Sequence, residues 1–197
     1  MSDRLVHLND SPGEYPDSYY HATARGLPSL PTLQTDIDCD VCVIGGGYTG
    51  LSTALHTAKQ GLDTVLLEAH RIGWGASGRN GGQVGSGQRV SQETLERRFG
   101  VDKALRLWEI AEDAKALVQS LVATHGIQCD LKFGIIHADH RARFVADTHA
   151  EVDHLRNQYG YDKAHALSRN ELREHLETDY YHGGSIDLGA MHLHPLN

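Results

Sequence analysis

Gly45, Gly47 and Gly50 follow one another as G-x-G-x-x-G, and Glu68 stands eighteen residues beyond the last of them. In that order the first glycine permits a tight turn, the second lets a pyrophosphate approach the backbone, and the third lets a helix pack closely on a strand. A carboxylate at the spacing of Glu68 can accept hydrogen bonds from a ribose 2′-hydroxyl. The implied chemistry is the grip on an adenine dinucleotide, with its phosphates at the N-terminus of the following helix. In a chain with 21 glycines among 197 residues, the spacing alone arises by chance. Its setting gives it meaning.

The elements needed to position these groups are legible around them. Residues 41–44 (Val-Cys-Val-Ile) are β-branched and apolar apart from Cys42, the pattern of a strand covered on both faces. A second such run, Thr64-Val-Leu-Leu, leads directly into Glu68. Between the two runs Ala54, Leu55 and Ala58 form the small, apolar face of a helix, and Gly61 is placed to end it. Strand, glycine turn, helix, strand and acid together predict a βαβ unit. A P-loop reading fails, because Leu51 replaces the lysine that would hold phosphates.

A second glycine-rich stretch occupies residues 73–87, where a plain nicotinamide-binding unit would move on to a helix. Its exposed N–H groups can wrap a further part of a cofactor. Ser77 suggests a nucleophile elbow, but G-x-S-x-G fails at Arg79. Cys39 and Cys42 form C-x-x-C leading into a strand, where residues three apart point to opposite faces; buried or half-buried thiols are expected, not a redox couple. Among 14 histidines, His182, His192 and His194 invite a metal site, yet no spacing fixes a third or fourth ligand, and no metal is expected.

Length allows one large domain or one and a half. A net charge of −8 argues against nucleic acid or an anionic membrane as partner. The N-terminus lacks an apolar signal region and no run reaches roughly 18 apolar residues, so a cytoplasmic chain is expected.

Residues 1–38 hold Pro12, Pro16, Pro28 and Pro31, a density that forbids a regular element, and Tyr15, Tyr19 and Tyr20, which can tack this arm onto the body or leave it a tail. Ala104, Trp108, Ala111, Leu117, Val118, Leu121 and Val122 recur at helical spacing over residues 102–123, with Trp108 in the core. A strand bulged at Gly134 is expected over 131–138, and a helix marked by Val145, Thr148, Val152, Leu155 and Tyr159 ends at Gly160. Ser168 and Glu171 make a capping box with Leu167 and Leu172 as its staple, opening a helix to about Leu176. The last strand is placed at 181–187.

Asp40-Val-Cys-Val-Ile-Gly-Gly-Gly-Tyr-Thr-Gly-Leu-Ser, followed by Leu67-Glu-Ala-His-Arg-Ile-Gly-Trp-Gly-Ala-Ser-Gly-Arg-Asn-Gly-Gly-Gln, resembles the FAD-dependent D-amino-acid oxidase superfamily. The element at 76–83, Ser18-Tyr-Tyr and the closing His194-Pro-Leu-Asn are most similar to its γ-glutamylputrescine oxidase branch. The resemblance implies an α/β fold: an FAD-binding Rossmann-like βαβ unit of glutathione-reductase type plus the beginning of an α+β substrate domain. It also implies that Gly45, Gly47 and Gly50 hold the FAD pyrophosphate and Glu68 the adenosine ribose. Ser77, Asn80, Gly81, Gly82 and Gln83 would lie along the pyrophosphate and flavin side, with Arg79 either neutralising phosphate or simply solvated. The implied reaction oxidises the C–N bond of a small amine or amino acid by hydride transfer to flavin, with imine hydrolysis and peroxide release.

The expected division is an arm at 1–38, the FAD-binding unit, flavin loop and following helix at 39–125, and a partial substrate domain at 126–197. Members of the family continue past the equivalent of Asn197, and Pro195 reads as the first residue of a further helix. The expectation is therefore the N-terminal part of such an oxidase, inactive as this fragment alone, its catalytic residues unassigned. Two other readings stay open: a non-catalytic nucleotide-binding module or remnant, and an NAD-dependent Rossmann enzyme.

Overall fold

The computed structural model describes residues 13–26 and 29–197. Pro12 and Pro28 of the expected arm lie outside these residues. The chain forms two compact units, one running to Gly81 and taking back His194–Asn197, the other comprising Gly82–Leu193. The expected boundary at 125/126 falls inside the second of these, at the end of a long helix.

In the first unit, α1 (Tyr19–Thr23) is capped by Ser18, whose side chain accepts from the His21 N–H at 3.1 Å. The proline-rich arm thus contains one short turn of helix, because an N-cap serine satisfies a donor where the following residues lack proline. Strands β1 (Val41–Ile44) and β2 (Thr64–Leu67) pair in parallel from Val41↔Thr64 to Ile44↔Leu67, joined by α2 (Tyr48–Lys59). Gly61, at φ 85°, follows the Gln60 cap and ends the helix as expected. The reading of β1 as covered on both faces is corrected: Cys42 is exposed and Ile44 is 87% exposed. A two-stranded sheet packs on α2 with one face only, so alternate side chains of β1 stay in solvent. Cys42 is accordingly not the buried or half-buried thiol the sequence suggests. Partial burial, together with Cys42 and the acids Asp63, Asp40 and Asp38, pushes the Cys39 thiol up, away from a reactive thiolate.

The second unit is an antiparallel sheet built on β6 (Gly183–His192). Along one edge of β6 runs β4 (Lys132–Ala138), with its register shift between Phe133 and Ile135 at Gly134. The other edge takes β3 (Gln83–Val84) at one end and β5 (Ala164–Ser168) at the other. The sequence placed this last strand too early. It continues to His192, where Met191 and His192 pair with β3 on one edge and β4 on the other, and Gly189 leaves the room that the Tyr161 hydroxyl takes.

Helices α3 (Gln92–Phe99), α4 (Val101–His125), α5 (Ala142–Tyr159) and α6 (Arg169–His175) accompany this sheet. Gly160 ends α5 at φ 63°, and the capping box of Ser168 and Glu171 opens α6. Trp108, Val152, Tyr161 and Ala164 form the core, with Leu155 and Tyr159 against them. The buried stripe of α4 is Ala104, Trp108, Ala111 and Lys115; Leu117, which the sequence assigned to the apolar face, is 45% exposed. Among the described residues no helix is long and apolar enough to cross a membrane.

Candidate functional site

The glycine turn lies between β1 and α2. Gly45 has φ 103° and donates its N–H to the Leu67 carbonyl at 2.7 Å, which carries the β1–β2 ladder one step past the strands. A side chain on Gly50 would overlap the Gly45 carbonyl oxygen, so the helix can approach the strand this closely only with glycine there. Gly47 caps α2 without any side-chain hydrogen bond. The positive end of the helix therefore carries no protein carboxylate of its own cap.

Glu68 closes over this turn from the end of β2. Its Oε2 accepts the Gly46 N–H at 2.6 Å and its Oε1 the His70 N–H at 2.9 Å. Two carboxylate oxygens offer about four acceptor sites, so lone pairs remain for a hydroxyl ligand.

The second glycine-rich loop meets the first. Gly73 donates its N–H to the Gly46 carbonyl at 2.9 Å, and Tyr48 donates its N–H to Ser77 Oγ at 3.0 Å. A Cβ on Gly47 would stand 2.9 Å from that Ser77 Oγ. Asn80 Nδ2 donates to the Ala76 carbonyl at 3.2 Å and the Ser77 carbonyl at 2.8 Å, closing the 3-10 turn Ala76–Gly78. Ser77 thus works as a backbone acceptor, in line with the failed nucleophile pattern.

Arg79 donates from Nε to the Trp74 carbonyl at 2.8 Å and lays its guanidinium 4.2 Å from the Trp74 ring centre. His70 stacks on the same indole at 4.1 Å. Gly81, exposed, ends the first stretch of the first unit. Gly82 and Gln83 belong to the second unit. There Gly82, at φ 71°, accepts the Leu193 N–H at 2.9 Å, and Gln83 pairs with His192.

Several contributors escaped the sequence reading. Gly46, Tyr48, Leu51, Ile72 and Leu196, together with the expected Ser77, line a cavity of about 250 Å³ beside the turn. That is smaller than the roughly 300 Å³ at which small-molecule pockets begin, room for one portion of a dinucleotide. Leu196 lies against Gly73 and Gly78. The arm holds the loop from outside: Tyr15 donates its hydroxyl to the Ile72 carbonyl at 2.7 Å, and Trp74 Nε1 donates to the Glu14 carbonyl at 2.6 Å. Burial pushes the Tyr15 hydroxyl up, so it remains a donor. The three histidines considered for a metal are not assembled: His182 precedes β6, His192 ends it, and His194 is engaged with Thr23.

Residues 40–197 match the model of a family described as FAD dependent oxidoreductase. The chain is 37% identical over 184 residues to γ-glutamylputrescine oxidoreductase of Escherichia coli (strain K12), covering 93% of this chain and 43% of that protein. It is 39% identical over 179 residues to the probable oxidoreductase OrdL of Rhizobium meliloti (strain 1021), covering 91% of this chain and 42% of that protein. The chain thus spans less than half the length of these curated relatives. In fold it is similar to an L-amino acid deaminase from Proteus vulgaris (TM-score 0.63, 19% identity, 93% of this chain and 45% of that one). Glycine oxidase from Geobacillus kaustophilus gives a TM-score of 0.64 at 20% identity, over 80% of this chain and 41% of that one.

Proposed function

For a chain that belongs to the FAD-dependent oxidoreductase family, we propose a role in oxidising the C–N bond of a small amine or amino acid, with its glycine turn as the dinucleotide cradle. The observation that carries this reading is the convergence of Glu68 and Ser77 on the start of α2, through the N–H groups of Gly46 and Tyr48.

The residues present fit FAD. Gly45 leaves the backbone bare where a pyrophosphate must approach, Gly47 lets Ser77 reach the start of α2, Gly50 lets α2 pack closely on β1, and the helix N–H groups not taken by Ser77 favour the phosphate charge. Glu68 keeps acceptor capacity for ribose hydroxyls while its bonds to Gly46 and His70 fix its orientation. Ser77 and Asn80 shape the second loop, and Gly81, Gly82 and Gln83 are assigned by the family resemblance to the flavin side. Arg79, held by Trp74, brings positive charge to the same loop. Bound FAD would supply the hydride acceptor for the oxidation. The likeness to the E. coli γ-glutamylputrescine oxidoreductase favours a γ-glutamylated amine as substrate.

The test is a titration of the purified chain with FAD, followed by flavin fluorescence and the visible spectrum, with NADH as competitor. Saturable uptake of FAD is expected. A colourless protein that takes up no FAD overturns the cradle assignment, and uptake of NADH alone moves the chain to a nicotinamide enzyme. Because the chain spans less than half the length of these relatives, it is expected to be inactive alone, and anaerobic bleaching of the bound flavin by γ-glutamylputrescine would overturn that expectation.

A further inference from the structure

The second unit buries a cation that the sequence reading placed nowhere. Lys115 is 4% exposed, in line with Ala104, Trp108 and Ala111 on the core-facing stripe of α4. An ammonium removed from water persists only if it is paired and hydrogen-bonded. Glu112 Oε1 stands 2.9 Å away and supplies the opposite charge. Lys115 Nζ donates to Ser86 Oγ at 2.5 Å and also reaches the Tyr161 hydroxyl and the Gly189 carbonyl, each at 3.3 Å.

The direction of this network follows from counting protons. Tyr161 has one hydroxyl proton and gives it to Asp187 Oδ1 at 2.6 Å. The 2.8 Å contact between Ser86 and Tyr161 must then run from the serine hydroxyl to the tyrosine oxygen, leaving the serine oxygen to accept from Lys115. The chain runs Lys115 to Ser86 to Tyr161 to Asp187, from an ammonium to a carboxylate, so each bond polarises the next in the same sense. Asp187 Oδ1 also accepts the N–H groups of Gly189 and Ala190, which ties the far end into β6.

Ser86 stands two residues beyond β3, a strand that pairs through Gln83↔His192 and Val84↔Met191, with one further backbone bond from the Leu193 N–H to the Gly82 carbonyl. So short a strand has little pairing of its own to hold it. We infer that Lys115 is a positioning residue that acts through Ser86 to fix β3, and with it Gly82 and Gln83, the residues of this unit proposed above to contact FAD. The link to FAD rests on the function proposed above; the hold on β3 does not.

Two measurements on the purified chain separate these parts. The first is amide hydrogen exchange of residues 84–87 without FAD in Lys115→Met, Ser86→Ala and Ser86→Thr, with Leu172→Ala, buried in α6, as a control for general loosening. Exchange about tenfold faster is expected in Ser86→Ala, with Ser86→Thr near the parent and Leu172→Ala changing α6 instead. Unchanged exchange in Ser86→Ala, or equal loosening of residues 84–87 in Leu172→Ala, overturns the positioning role. Ser86→Ala leaves every charge in place, so the answer survives if Lys115→Met does not fold. The second is the FAD dissociation constant, expected to rise about tenfold in Ser86→Ala and to recover in Ser86→Thr. A parent chain that takes no FAD overturns the cofactor reading while exchange still decides the hold on β3. Equal FAD affinity despite a loosened β3 overturns the link between them.

Discussion

Gly50 lies so close to Gly45 that a side chain on the first would overlap the carbonyl oxygen of the second. The peptide that carries this oxygen cannot swing aside freely, because its N–H, that of Gly46, is bonded to Glu68 Oε2 at 2.6 Å. Gly50→Ala is therefore expected to push α2 away from β1 at about 1–3 kcal/mol in stability, the usual range for overpacking. Gly47→Ala meets only Ser77 Oγ, a side chain that can rotate, and is expected to cost less. Thermal denaturation and FAD titration of both variants check the order. Equal stability of Gly50→Ala and the parent would show that the helix does not depend on this contact.

Glu68 makes a second prediction, because its two oxygens already serve the backbone. Glu68→Ala strands the Gly46 N–H in a buried position and is expected to cost about 1.5–3 kcal/mol, as for a hydrogen bond to a charged group. Glu68→Gln retains one acceptor oxygen, so it is expected to fall between parent and alanine in stability. In FAD affinity both are expected to fall, since a ribose hydroxyl also wants the carboxylate. Chemical denaturation and flavin fluorescence check the two effects separately.

What the sequence made legible is what neighbouring residues decide. The turn at Gly45 to Gly50, the ends at Gly61 and Gly160, the bulge at Gly134 and the capping box of Ser168 and Glu171 all depend on backbone conformation or on partners a few residues away. The exposure of Ile44 was hidden, because an apolar run reads alike whether one face or two is covered, and cover is set by elements distant in sequence. Lys115 was hidden for the same reason. Its partners Ser86, Tyr161 and Gly189 lie 29 to 74 residues away, and a lysine on a helix is ordinarily solvated. In the candidate site, the glycines and Glu68 were readable from spacing, whereas the contribution of Leu196 arises only because residues 194–197 return to the first unit.

Glu96 and Tyr159 give the second unit a two-sided pH dependence. Burial raises the Glu96 carboxyl, but hydrogen bonds from Tyr159 at 2.6 Å and His154 at 2.8 Å, with the charges of His154 and Arg97, outweigh it and hold the group below its ordinary value. A carboxyl depressed in the folded state contributes stability that is complete above the unfolded value and is lost as pH falls through the folded one. Burial, then the bond to Glu96, pushes Tyr159 up to about 12. A raised tyrosine contributes stability that is complete below its ordinary value of about 10 and is lost as pH climbs from there toward the folded value. Urea unfolding across pH is expected to show a flatter acid limb in Glu96→Gln and a flatter alkaline limb in Tyr159→Phe. Tyr161, also pushed up by burial and by its bond to Asp187, keeps part of the alkaline loss in the second variant. An alkaline limb in Tyr159→Phe that parallels the parent would show that the Glu96 bond does not couple to folding.

The arm is expected to be held to residues 194–197 chiefly by His194, with Asn197 as a second contact. His194, 8% exposed, accepts the Leu196 N–H on Nδ1 at 3.3 Å, which places its proton on Nε2. That proton points to Thr23 Oγ1 at 2.9 Å, whose own hydroxyl donates to the Tyr19 carbonyl at 2.6 Å. The Tyr20 ring meets the imidazole edge-on at 5.2 Å, and the Arg25 N–H bonds Asn197 Oδ1 at 2.7 Å. Thr23→Val preserves shape and leaves the Nε2 proton without its acceptor, an expected loss of about 1–3 kcal/mol in the arm's attachment. Thr23→Ser keeps the hydroxyl and is expected to behave like the parent. Nitrogen chemical shifts of the His194 ring check the tautomer, and limited proteolysis of residues 13–26 checks the attachment. Because Leu196 rests against Gly73 and Gly78, detaching the arm is also expected to loosen the loop that carries Ser77. Thr23→Val with unchanged proteolysis and an unshifted His194 ring would show that the arm is held by its Tyr15 and Trp74 contacts instead.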